Sequence, residues 1–120
     1  MSDKGRRAWR FYVEDMVRFS RRVIEYTQGL TQKAFEENSL VRDATLRNLE
    51  LIGEAATRIP DKVRLENTEI PWRQIVATRN QLIHGYLGLD EATLWSLVQK
   101  EVPNLLPLLL KLLAKNPDDA

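Results

Sequence analysis

Apolar residues recur three and four positions apart in four stretches of this 120-residue chain, and nowhere do they alternate in the manner of a strand. Three-and-four spacing buries one face of a helix, whereas a strand buries every second residue. The chain is therefore expected to be all-α, an antiparallel four-helix bundle with a short accessory helix. The first helix is predicted over residues 6–28, with Trp9, Val13, Met16, Val17, Ser20, Val23, Ile24 and Thr27 on one face and Gly29 as its stop. Residues 31–37 add a turn or two. Asn38-Ser39 offers an N-cap for a second long helix over 40–59, closed by Pro60. Its stripe is Val41, Ala44, Leu46 or Asn48, Leu49, Ile52, Ala55, Ala56 and Ile59, and the small residues Gly53, Ala55 and Ala56 let another helix approach closely.

Residues 61–70 read as a connector. Pro71 suits the first position of a third helix, Trp72 to Ile83 or Gly85, because its missing N–H has no partner there anyway. Asp90 caps a fourth helix, which Pro103 and Pro107 should kink or divide. From Leu105 to Leu113 that helix is apolar on nearly every side, which calls for a covering partner helix.

This length suits one domain spanning 1–120, ordered from about residue 6 to 115. With no cysteine and a single histidine, most zinc sites are excluded. There is no Glu-x-x-His pair, Gly-rich phosphate loop or G-x-S-x-G, so no metal and no cofactor is expected. The N-terminus lacks an apolar leader and no run reaches a membrane span, so a cytoplasmic location is expected. The net charge is only +1, yet Lys4, Arg6, Arg7, Arg10, Arg18, Arg21 and Arg22 face only Asp3, Glu14, Asp15 and Glu25 in the first 25 residues. Such a stretch suits phosphate contact, and equally a solvated helix face.

One polar cluster interrupts the third helix: Arg79-Asn80-Gln81-Leu82-Ile83-His84-Gly85-Tyr86. At about 100° per residue, Arg79 falls in the middle of the apolar stripe, where a guanidinium must reach a carboxylate, a cleft or a phosphate. Glu50 and Glu54 of the second helix are ordinary partners for it. Asn80 and His84 share the neighbouring face, continued by Ala77 and Arg73, so the Asn80 amide can orient the imidazole. Gly85 can end the helix and free the His84 ring to turn. The same projection leaves Arg79 and His84 about 140° apart, a gap that a long arginine stem or unwinding at Gly85 would have to close. By spacing alone, His84 also fits a helix cap and Tyr86 fits plain core.

These residues resemble a known family. Arg79-x4-His84-x-Tyr86 matches the R-x4-H-x-Y motif of HEPN-domain toxins of the HepT type. Arg47-Asn48-Leu49-Glu50 with Ile52-Gly53-Glu54-Ala55 is similar to that family's second-helix signature. Ile70-Pro71-Trp72-Arg73-Gln74-Ile75 resembles the lead-in to its motif helix, and Asp90 with Trp95 the segment that follows. The resemblance implies a HEPN bundle that dimerises so that both motifs face one cleft. It further implies metal-independent endoribonuclease activity. It also implies a partner antitoxin, a minimal nucleotidyltransferase of the MntA type, that transfers AMP to the motif tyrosine, here Tyr86.

RNA can be cut without a metal because its own 2′-OH attacks the adjacent phosphate, given a base, an acid and positive charge on the phosphorane. On that reading His84 is the general acid/base and Arg79 the phosphate clamp. Asn80 is the orienter, and Arg73 and Tyr86 contact substrate. One histidine per chain becomes two in a symmetric dimer. Two other readings fit the same residues: a non-catalytic HEPN module that binds nucleotide or RNA and regulates a nucleotidyltransferase, and a purely structural helical dimer.

Overall fold

The computed structural model describes residues 2–85 and 89–116, with side chains from Ala8 onward. All regular structure among the described residues is helical: α1 (Ser2–Thr27), α2 (Gln32–Glu37), α3 (Ser39–Ala56), α4 (Asp61–Glu66), α5 (Trp72–Ile83), α6 (Glu91–Ser96) and α7 (Val102–Lys115). A π-helical turn over Leu97–Glu101 joins α6 to α7 without a break. No described helix is long and apolar enough to cross a membrane.

Helix α3 is the centre of the bundle, packed by α1 and α5, while α7 packs along α1 and its first turns share a cavity with Leu49 and Ile52 of α3 and Ile75 of α5. The stripe expected on α1 is buried at Val13, Met16, Val17, Ser20, Val23 and Thr27, with Trp9 and Ile24 at its half-buried edges. On α3 the stripe is wider than its period suggests, because two neighbours cover it. Thr45, Leu46, Asn48, Leu49, Ile52, Gly53, Ala55 and Ala56 are all buried. Fully burying one aromatic or aliphatic side chain is worth about 1.5–3 kcal/mol. Phe35 of α2 is wholly buried and sets its ring 5.3 Å from that of Trp95, which anchors the accessory helix to α6.

Side-chain caps set several boundaries. Thr31 accepts from the Ala34 N–H, Asn38 from Val41 and Asp90 from Thr93. The second long helix ends at Ala56, three residues short of the sequence expectation. The Thr57 hydroxyl donates to the Glu54 carbonyl at 2.6 Å, and Arg58 and Ile59 close tight turns onto Ala55 and Ala56. Pro60 contributes, since a proline pushes the residue before it out of helical geometry. Pro71 sits one place earlier than expected, as the N-cap of α5, and its carbonyl accepts from Ile75.

The connector holds a short helix, α4, and a buried hub at Asn67. Its carbonyl accepts from the Trp72 indole at 3.0 Å, its side-chain oxygen from Lys115 at 2.8 Å, and its amide donates to Val63 at 2.8 Å. These bonds fix where α5 begins. The apolar end of α7 is covered largely from within the chain: Leu105, Leu109 and Leu112 are buried on the α1 side. What stays open is a groove floored by Val17, Leu110 and Leu113 and rimmed by Arg18, Arg21 and Arg22.

Candidate active site

Helix α5 packs against α3 and buries only Trp72 and Leu82. Its remaining faces graduate from half-buried Ile75, Val76 and Arg79 to exposed Arg73, Ala77, Asn80 and His84. The last four are spaced four, three and four apart, so they form one line on the open side of the helix. The sequence-derived face is thus the exposed one.

Arg79 stands where the helices touch. Gly53 of α3 makes room for it: a Cβ at position 53 would lie 2.2 Å from the Arg79 Cβ and 3.2 Å from the Ile75 carbonyl. Such a separation is impossible for real carbon atoms, so only glycine permits this approach. From there the guanidinium turns outward. Nη2 donates to the Glu54 carboxylate at 2.7 Å and Nη1 to the Asn80 side-chain oxygen at 2.9 Å. Of the two acidic residues open as partners, Glu54 takes it, while Glu50 pairs with Arg47 three residues before it. The Arg79 Nε is buried without an acceptor, so its inner edge is given to packing and its two terminal nitrogens to polar contact. Arg58, in the turn just past α3, lies 3.9 Å from the other Glu54 oxygen.

Asn80 therefore orients Arg79 rather than His84. The Arg79 stem brings its guanidinium back to the adjacent residue, and that settles where the amide oxygen goes. The His84 ring makes no hydrogen bond among the described residues and is exposed. His84 forms the C-cap of α5, its N–H donating to the Asn80 carbonyl at 3.1 Å. Gly85 follows at φ +79°, the left-handed conformation that ends a helix and that side chains with a Cβ rarely adopt. The helix thus stops at Ile83 and leaves the imidazole of its C-cap at an open end. Arg73 lies in the first turn of α5, exposed and without an ion-pair partner among the described residues. Tyr86, expected as a substrate contact and modification site, lies outside the described residues. No cluster of three or more metal-ligating side chains exists among the described residues.

The guanidinium is held towards Glu54 of α3, while the imidazole five residues on stands on the exposed line of α5, so one helix carries an anion grip and a proton-transfer group on different faces. An all-helical bundle presenting this Arg-x4-His pair defines a protein of the HEPN class. Within that class the chain belongs to the HepT-like ribonuclease family, whose model, "Ribonuclease HepT-like", matches residues 16–112. It is 34% identical over 100 residues to a Thermococcus cleftensis protein named as a probable ribonuclease HepT, covering 83% of this chain and 91% of that one. It is 36% identical over 94 residues to a Methanocaldococcus jannaschii protein whose name provisionally assigns it as an RNase, covering 78% and 86%. A Caldanaerobacter subterraneus protein with the same kind of name is 32% identical over 94 residues, covering 78% and 84%. No solved structure matches the chain.

Proposed function

We propose that the chain acts as one HEPN domain and is an endoribonuclease that cuts RNA without a metal, the toxin of a type VII toxin–antitoxin pair. The observation that supports this best is the pairing, in a member of the HepT-like ribonuclease family, of an Arg79 guanidinium held by Glu54 and Asn80 with an exposed His84 at the same helix end. One imidazole removes the proton from the ribose 2′-OH, whose oxygen then bonds to the adjacent phosphorus. The P–O5′ bond breaks, leaving a 2′,3′-cyclic phosphate, and a second imidazole gives the departing 5′ oxygen its proton. Histidine as a side-chain type both takes and gives protons near neutral pH. The second ring comes from the partner in a homodimer, which explains how one histidine per chain fills two roles. Arg79 meets the charge that grows on the phosphorane oxygens, and Arg73 on the same face holds a neighbouring phosphate. A nucleotidyltransferase antitoxin of the MntA type transfers AMP from ATP to Tyr86: the phenol oxygen bonds to the α-phosphorus and pyrophosphate leaves. The added phosphate and bulk then exclude the RNA by charge and by volume.

The test is a digest of labelled RNA by the purified protein and by His84→Ala, with chelator present. Cutting that survives chelator and is lost in the variant supports the nuclease. No cutting by either protein supports a module that binds RNA or nucleotide and regulates its partner. A dimer structure holding the two His84 rings far from any shared groove would also defeat the reading. Intact mass of the protein made with and without a neighbouring nucleotidyltransferase tests the modification of Tyr86.

A further inference from the structure

Glu54 is used by none of the steps above, yet it holds the group that those steps depend on. Its carboxylate reaches from α3 to α5 and takes the Arg79 Nη2 at 2.7 Å, inside the range of a charge-assisted bond. With Asn80 on Nη1 and Gly53 beneath the stem, the guanidinium is fixed at both terminal nitrogens and at its base. Each terminal nitrogen carries two hydrogens, so one on each remains for a phosphate oxygen. The Arg79 side chain is 28% exposed, enough for such an oxygen to arrive. Arg58 on the second Glu54 oxygen keeps the cluster at a net single positive charge, so the carboxylate orients Arg79 without cancelling the pull on RNA.

We propose that Glu54 is a positioning residue for RNA cleavage: it aims the Arg79 guanidinium and so sets where the scissile phosphate is gripped. The proposal rests on Arg79 acting as the phosphate clamp. A carboxylate that merely straps α3 to α5 would affect melting and leave turnover alone. A carboxylate that competes with phosphate for Arg79 would act as a brake, and its removal would speed cutting.

The experiment compares the wild-type protein with Glu54→Gln and Glu54→Ala in steady-state cleavage of a labelled RNA, with melting temperature recorded for each. Positioning predicts that kcat falls about 10- to 100-fold, the scale of a misplaced catalytic contact. Glu54→Gln, which keeps an acceptor oxygen, should fall less than Glu54→Ala. KM should stay level or drop, because each variant is one charge more positive. A kcat equal to wild type in both variants overturns the proposal, whatever the melting temperature, and so does a rise in kcat/KM. The guanidinium NMR signals of Arg79 give a second reading that needs no activity. They should show slow rotation in wild type and free rotation in Glu54→Ala, and slow rotation in both overturns the proposal. Failure of the ribonuclease reading is told apart by His84→Ala: cutting that persists in that variant, or is absent from wild type, defeats that reading while the NMR arm still decides whether Glu54 holds Arg79.

Discussion

Replacing Gly53 by alanine should destabilise the protein, although the same change in an exposed helix would stabilise it. Alanine favours a helix over glycine by about 1 kcal/mol. Here the new methyl would lie 2.2 Å from the Arg79 Cβ and 2.9 Å from its Cγ. Carbon atoms rest about 3.5–4.0 Å apart, so α3 and α5 must part by roughly 1.3–1.8 Å at this point. Overpacking of this kind costs about 1–3 kcal/mol, and the rigid Ile75 backbone carbonyl of the same helix, α5, 3.2 Å away, puts this site at the upper end. The net loss is then about 2 kcal/mol, a fall in Tm of roughly 4–12 °C for a chain of this size. The same separation lengthens the 2.7 Å contact between Arg79 and Glu54 beyond hydrogen-bond range, so RNA cutting should fall about 100-fold as well. Thermal unfolding followed by circular dichroism reads the first effect and a timed digest the second. A Tm that holds or rises would mean that the helices do not meet at Gly53, and the close approach would have to be abandoned.

Asn67→Ala should cost about 1–2 kcal/mol, read by urea unfolding, because the buried amide's bonds to Val63 and from Lys115 are lost while the backbone carbonyl still takes the Trp72 indole; a loss under about 0.5 kcal/mol would refute this. His84→Ala should leave stability within about 0.5 kcal/mol, since the ring is exposed, yet lower cleavage by about 100-fold or more. Equal cleavage by the variant would show the imidazole to be a bystander. The Asp90 carboxyl is held below the ordinary value of 3.8, chiefly by the Thr93 backbone N–H and then by its hydroxyl. A depressed folded value means that the cap supports α6 fully above the ordinary value and is lost as pH falls through the folded one. Carboxyl NMR should therefore show Asp90 titrating below that value, and titration at or above it would remove the cap from the account.

Most of the bundle was legible because period and punctuation agree. Asn38 and Asp90 each carry a short polar acceptor directly before an apolar stripe, and both cap as their spacing suggests. The connector over 61–70 gave less away. The weight of Asn67 comes from contacts 48 residues distant in the chain, with Lys115, and no local pattern encodes that. At the site, helical projection identified the open line of Arg73, Ala77, Asn80 and His84 and required a partner for Arg79. It could not choose Glu54 over Glu50, since that depends on which α3 turn faces α5. It also assigned the Asn80 amide to the imidazole, where the arginine stem in fact folds back to claim it.

The π turn over Leu97–Glu101 has a consequence for how one helix serves two walls. Val102 donates to the carbonyl five residues back, and Gln99, whose carbonyl Pro103 would strike in a regular helix, lies inside the widened turn. On an unbroken helix Leu94, Val98, Val102, Leu105, Leu109 and Leu112 would keep to a single line. One extra residue swings the later half by roughly 100°. The first half can then meet Phe35 while the second lies along α1. The spacing of this segment therefore matters more than its letters: Lys100 can be exchanged for another helix former, but deleting it would turn Leu105, Leu109 and Leu112 away from the helix they cover.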